Sequence, residues 1–149
     1  MEGYPVTARI EVRWRDVDAL GHVNNAVYFT YFEIARTRYY EEVFRASTID
    51  DMNFLLASIQ CDFLSPTRHG ETVEVGIRIP LAGRTSFDFE YAARALGDGR
   101  LVARARSTQV LYDHRADRKL PIGAAWLDQV AAAQGSYPSP RPPKDPVSP

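Results

Sequence analysis

Cysteine occurs once in the 149 residues, at Cys61, so no intramolecular disulfide can form and no multi-cysteine zinc site is available. Such a chain suits a reducing compartment. No basic block is present either: 18 lysines and arginines against 19 acids leave a net charge of -1, scattered along the whole length. That balance argues against a nucleic-acid partner. No apolar run is long enough to span a bilayer, and Met1 to Ile10 lacks the apolar stretch of a secretory signal, so the expectation is a cytoplasmic protein that is not a membrane protein. A Gly-x-Ser-x-Gly elbow is missing, which removes the serine-hydrolase route. His69 and His114 stand alone without a second ligand at metal spacing, so neither a metal site nor a redox cofactor is expected.

What the chain does have is a hydrophobic content of 45% at a length that suits one domain with its own core. From Arg9 to Arg15 charge and apolar character alternate, which predicts a strand with Ile10, Val12 and Trp14 on one face. Gly21 then supplies a turn, and Asn24 and Asn25 are residues that cap a helix. Between Val27 and Phe44 there is no glycine or proline, and Val27, Tyr28, Tyr31, Phe32, Ala35, Tyr39 and Val43 recur at helical spacing. Apolar residues at Phe29, Ile34, Tyr40 and Phe44 widen that stripe and predict a central helix wrapped on several sides.

Beyond it the period becomes two. Ile59, Cys61 and Phe63 mark one strand, closed by Pro66. Val73, Val75, Ile77 and Ile79 mark the next, with Pro80 as its stop, and Phe87, Phe89 and Tyr91 a third. Gly97-Asp98-Gly99 reads as a hairpin turn into a last strand over about Leu101 to Tyr112. A short helix over Ala124 to Ala133 completes a domain of residues 1–136. Residues 137–149 hold six of the ten prolines and almost nothing to bury, so they are expected to be a disordered tail. The order of strand, long helix and antiparallel strands predicts an α+β domain in which one sheet curls around one helix, with open edges that favour pairing between chains.

Ionisable and amide groups concentrate at the first strand-to-helix junction, in Asp16-Val17-Asp18-Ala19-Leu20-Gly21-His22-Val23-Asn24-Asn25, which continues into Tyr28-Phe29-Thr30-Tyr31-Phe32-Glu33-Ile34-Ala35-Arg36. This stretch resembles the hallmark of 4-hydroxybenzoyl-CoA thioesterase-like proteins of the hotdog fold. The likeness extends through Asp62-Phe63-Leu64-Ser65-Pro66 and Gly70-Glu71 and covers the chain to about Ile122. It implies an acyl-CoA thioesterase that splits a thioester of CoA, or another acyl thioester, into a carboxylic acid and a thiol. It implies a site at a subunit interface of a homodimer or homotetramer.

The resemblance places the catalytic carboxylate on Asp18 and the amide that polarises the thioester at the helix N-terminus around Asn24 and Asn25. His22 and Asn25 join Asp18 as candidate catalytic groups, and Gly21, Val23, Asn24 and Tyr28 as candidate substrate contacts. Elementary chemistry agrees: free N–H groups and the positive helix end stabilise the oxyanion of an attacked carbonyl, where a lost donor costs about 10²–10³ in rate. A carboxylate beside it can draw a proton from water or attack directly. Asp16 reads as a turn or salt-bridge residue, and Glu33 as a second-choice base on the helix. Phe32 and Phe63, with Tyr28, are candidate walls for the acyl group. Arg68, Arg84, Arg104, Arg106 and Arg118 are candidates for the CoA phosphates. Two other functions share parts of the pattern. A hotdog enoyl-thioester hydratase also pairs an aspartate with a nearby histidine, and a hotdog domain can serve as a non-catalytic acyl-CoA binding module.

Overall fold

The computed structural model describes residues 1–142. In chain order the elements are β1 (Val6–Glu11), α1 (Asn25–Val43), β2 (Phe54–Phe63), β3 (Thr72–Ala82), β4 (Ser86–Ala95), β5 (Leu101–Asp113), β6 (Arg118–Lys119), α2 (Ala124–Gln134) and β7 (Ser139–Pro140). The five long strands form an antiparallel sheet in the order β1-β3-β4-β5-β2, and α1 lies in its concave face. This is the α+β hotdog architecture expected from the sequence.

The period-two pattern works as expected in the middle of the sheet. Val73, Val75, Ile77 and Ile79 of β3 and Phe87, Phe89 and Tyr91 of β4 are all 0% exposed. Each such side chain contributes about 1.5–3 kcal/mol by leaving water. Against them α1 lays Tyr31, Phe32, Ala35, Tyr39 and Tyr40, with ring contacts such as Phe32 to Tyr91 at 4.9 Å and Tyr39 to Phe89 at 5.1 Å. The β4–β5 hairpin turns where Gly99 takes a φ of +74°, a conformation that a Cβ would strain. Helix α2 closes one end, stacking Trp126 on Phe44 at 5.2 Å and against Phe87 at 4.9 Å.

Four expectations need correction. Trp14 is 78% exposed, because the chain leaves the sheet after Val12 and turns through a short 3₁₀ segment at Trp14–Asp16. Pro80 does not end β3; the register shifts between Arg78 and Leu81, and such an irregularity is where a strand tolerates proline. Helix α1 is not wrapped on several sides, since Phe29 and Ile34 are 38% and 41% exposed. It packs on β1, β3 and β4 and touches β2 at its two ends, Tyr28 against Phe63 at 5.5 Å and Tyr40 against Phe54 at 4.8 Å.

The fourth correction concerns the tail. Residues 139 and 140 pair in parallel with Leu81 and Ala82 of β3, beyond the point where β1 stops at Ile77. Arg141 N–H donates to the Ala82 carbonyl at 3.0 Å, and its guanidinium reaches Ser86 Oγ at 2.8 Å, Thr108 Oγ1 at 2.9 Å and Asp88 at 3.3 Å. The unpaired half-edge of β3 thus gives residues 137–142 a partner that composition could not reveal. The expected disorder of 143–149 lies outside the described residues.

Candidate active site

The junction between β1 and α1 is held from below by Asp16. This carboxylate is 2% exposed and accepts from Arg13 N at 3.0 Å, Arg13 Nε at 3.1 Å, Arg13 Nη2 at 2.9 Å and Tyr31 Oη at 3.0 Å. Burial pushes its pKa up, but the Arg13 and Tyr31 hydrogen bonds outweigh that and hold it below the usual carboxylate range. Its backbone carbonyl takes the Asn24 N–H at 2.9 Å, which fixes the start of α1.

Between these anchors, residues 17–23 form a small closed loop. Val17 bridges Val23, Asp18 N–H donates to the His22 carbonyl at 2.9 Å, and Gly21 N–H to the Asp18 carbonyl at 3.0 Å. Gly21 has a φ of +80°, which explains glycine at that position. Val23 is buried, and its N–H donates to the Thr67 carbonyl at 2.8 Å, tying the loop to the segment after β2. Thr67, wholly buried, also shares a 2.7 Å hydrogen bond with Tyr28 of α1. Burial raises the Tyr28 pKa against the opposing effect of that bond, so its phenol stays neutral.

A cleft of about 430 Å³ opens where this loop, the N-terminus of α1 and the end of β2 meet. Asp18, His22, Val23, Asn24, Asn25 and Tyr28 all line it, facing Phe63, Leu64, Ser65 and Pro66. Asp18 sits half-buried with one oxygen accepting the Leu20 N–H at 2.9 Å, while the other has no partner among the described residues. The Asn24 side chain caps α1 by accepting from Ala26 N–H at 2.9 Å. The Asn25 N–H, first of the helix, therefore remains at the positive end of α1.

Gly21 lies at the loop tip and is not a wall of the cleft; its part is to make the turn. His22 braces the loop through its carbonyl rather than its imidazole. Phe32 belongs to the core at 0% exposed, whereas Phe63 lies on the cleft, 5.5 Å from Tyr28. Glu33 stands exposed in a separate depression with Arg9, Ile34 and Arg38. Sequence reasoning missed Thr67 and read Ser65 and Pro66 only as the exit of a strand, not as part of the site. The signal was there in Ser65-Pro66-Thr67, a turn directly after an alternating strand. Arg100 fixes that turn by donating to the Pro66 carbonyl at 2.9 Å while paired with Glu71 and Asp98.

Residues 12–133 match the family model described as the thioesterase-like superfamily. The chain belongs to the thioesterase-like superfamily. A solved thioesterase from Thermus thermophilus, in complex with coenzyme A and zinc, is 36% identical over 91% of this chain and 98% of its own, with a TM-score of 0.80. A 1,4-dihydroxy-2-naphthoyl-CoA thioesterase from Synechocystis shares the fold at 21% identity and a TM-score of 0.73, over 85% of this chain and 95% of its own. Among curated proteins, an uncharacterised Bacillus subtilis protein, YsmA, is 28% identical over 59% of this chain. The chain spans 60% of the length of that curated relative. No helix among the described residues is long and apolar enough to cross a membrane.

Proposed function

We propose that this protein hydrolyses acyl-CoA thioesters, with Asp18 as the central catalytic group. One observation carries the reading: a carboxylate with an uncommitted oxygen shares a cleft with the N-terminus of α1. A thioester carbonyl directed at the Asn25 N–H would have its developing charge stabilised by that donor and the helix dipole. Asp18 then acts as general base toward water or as nucleophile, and His22 and Asn24 position the substrate beside Tyr28. Water supplies the oxygen of the product acid, and the proton ends on the CoA sulfur. The coenzyme A bound by the Thermus relative supports CoA as the thiol partner.

The strand at the sheet's other edge, β2, supports a homodimer. It is ten residues long, has β5 as its neighbour on one side only, and exposes Leu55, Leu56 and Phe63 at 42–45%. Edges of this kind are covered by pairing, and a partner there would also border the cleft at Phe63. A free thiol at Cys61, pushed up to about 11 by burial and by Asp62, fits a cytoplasmic protein with an unreactive cysteine.

The test incubates the protein with acyl-CoAs of several lengths while following free thiol and double-bond absorbance together. Thiol release is the expected result. Loss of an enoyl double bond without thiol would identify a hydratase, and binding without either change a carrier or sensor. Light scattering should report at least twice the 16.8 kDa chain mass.

A further inference from the structure

Arg104 and Arg106, which the sequence offers as candidates for CoA phosphates, face away from the cleft. Successive residues of a strand point to opposite faces of the sheet. Phe63 of β2, on the cleft, pairs with Ala103, whereas Asp62 pairs with Arg104 and Gln60 with Arg106. Both arginines are exposed on the convex face. There they border a groove of about 740 Å³, larger than the cleft of about 430 Å³. Arg78, Arg94, Arg104 and Arg106 line it against two carboxylates, Asp62 and Glu90, in a chain whose net charge is -1. The sheet register assembles this cluster from three strands. Ala92 of β4 lies between Gly76 of β3 and Arg104 of β5, and Glu90 lies between Arg78 and Arg106. The small side chains of the first row make a floor, and the charges of the second a wall.

The carboxylates do not cancel the arginines. Glu90 is shared, with Arg78 Nη2 at 2.7 Å, Arg106 Nη2 at 4.0 Å and the Tyr4 hydroxyl donating to it at 3.3 Å. Arg94 pairs at 2.6 Å with Glu74, which also holds Arg9 at 3.4 Å. Arg104 makes no ion pair among the described residues, although Asp62 stands opposite it in the β2–β5 ladder. The wall is also seated in a specific way. Gly76 lies inside β3, where glycine weakens a strand, and a Cβ there would come within 2.7 Å of Tyr4 Cγ. Glycine makes room for the Tyr4 ring, over which the Arg78 guanidinium sits at 5.5 Å from the centroid. Burial and Glu90 raise the Tyr4 pKa while Arg78 and Arg104 oppose them, so both guanidinia act on the same ring. Tyr4 thus fixes Arg78 and occupies part of Glu90.

We propose that this groove binds a small anion carrying two or more phosphates, of the diphosphate type, held by Arg104 and Arg106 on one side and Arg78 on the other. Several guanidinia converging on one groove call for more than one negative charge in a small volume. A diphosphate supplies it with acceptor oxygens matched to the guanidinium fork, and a single carboxylate does not. The site lies across the sheet from the cleft and is independent of the thioesterase reading. Its ligand can be a free polyphosphate or the nucleotide end of a CoA-type molecule, which share this chemistry.

The experiment is calorimetry on the full-length protein in low salt, titrating pyrophosphate, 3′-phospho-ADP and, as a single-carboxylate control, acetate. Pyrophosphate should bind saturably, one per chain, and weaken as salt is raised, while acetate should not bind. Arg104→Glu should abolish binding, and Arg104→Lys should keep it about tenfold weaker. Arg38→Ala removes the same charge from the exposed face of α1 and should leave binding unchanged. Asp18→Asn should also leave it unchanged, whatever that variant does to thioester hydrolysis, so the two readings fail separately. Tighter binding of 3′-phospho-ADP than of pyrophosphate, lost in Arg104→Glu, would trace the phosphates to a CoA-type nucleotide; equal binding would trace them to a free polyphosphate. Absence of saturable binding by the wild type would overturn the inference, as would acetate binding equally well. Binding that persists in folded Arg104→Glu, or falls as much in Arg38→Ala, would overturn it too. A wild type that binds no pyrophosphate, with a particle mass that halves in Arg104→Glu, would make this face an interface between copies instead.

Discussion

Asp16 and Asp18 lie two residues apart in one loop and have opposite surroundings. Asp16 is buried beneath the junction with four hydrogen bonds on its two oxygens, from Arg13 and Tyr31. Asp18 faces the cleft with one backbone N–H on one oxygen. A carboxylate whose lone pairs are all taken can hold a structure but has little left for a proton or a carbonyl. One with an oxygen to spare can react. On the proposed reading the two positions divide the labour of the motif, the first fixing where α1 begins and the second using what that helix end presents.

Asp18→Asn would break this comparison most sharply. The amide still accepts from Leu20 N–H, so the melting temperature should hardly move. It can neither take a proton nor attack, so kcat should fall by about 10²–10⁴ with a smaller change in KM. Near-normal turnover would remove Asp18 from the chemistry.

Asp16→Asn should show the converse. An amide turns an N–H toward Arg13 or Tyr31 in a buried place, and the cost should be about 2 kcal/mol in chemical denaturation. Activity should decline only as far as the start of α1 shifts. A variant as stable as wild type would mean that the Asp16 contacts are not needed.

Titration sharpens the same contrast. The folded-state pKa of Asp16 is depressed, so its contribution is fully present above the ordinary carboxylate pKa of about 3.9 and is lost as pH falls through the lower folded value. The stability difference between wild type and Asp16→Asn should therefore hold near neutrality and close in acid. A difference that grew on acidification would reverse the sign.

Asp88 tests whether saturation by partners is the general rule. It is 4% exposed and is bonded by Thr108 at 2.8 Å and, from the tail, by Arg141 at 3.3 Å. Arg141→Ala should cost about 1 kcal/mol, the smallest of these effects, seen as a drop of a few degrees in melting temperature. No change would mean that Thr108 alone suffices.

How far the sequence shows these things depends on the range of the forces involved. The strands at Val73 to Ile79 and Phe87 to Tyr91 are legible because their pattern is local and their burial complete on one face. Asp18, His22, Val23, Asn24, Asn25 and Tyr28 were legible as neighbours because a contiguous motif carries them, whereas Leu64, Ser65 and Pro66 on the facing wall come from beyond the far end of β2 and were not. Trp14 misled because alternation does not register a 3₁₀ turn tied by Asp16. The docking of residues 137–142 depends on a half-edge of β3 distant in sequence. Arg36 shows the same limit most plainly, since an arginine on a helix is read as a surface residue until Tyr91, Ser107 and Gln109 come together beneath it.

The two margins of the sheet differ in a way that governs growth. One is divided between β1, six residues long with Arg9 and Glu11 exposed, and the two residues of β7. The other is β2, long and apolar. A chain with a single adhesive margin can join like to like across a two-fold axis, and that union uses up the margin on both partners. Strand addition then terminates after two copies, whereas two equivalent margins would permit unlimited head-to-tail stacking into fibres.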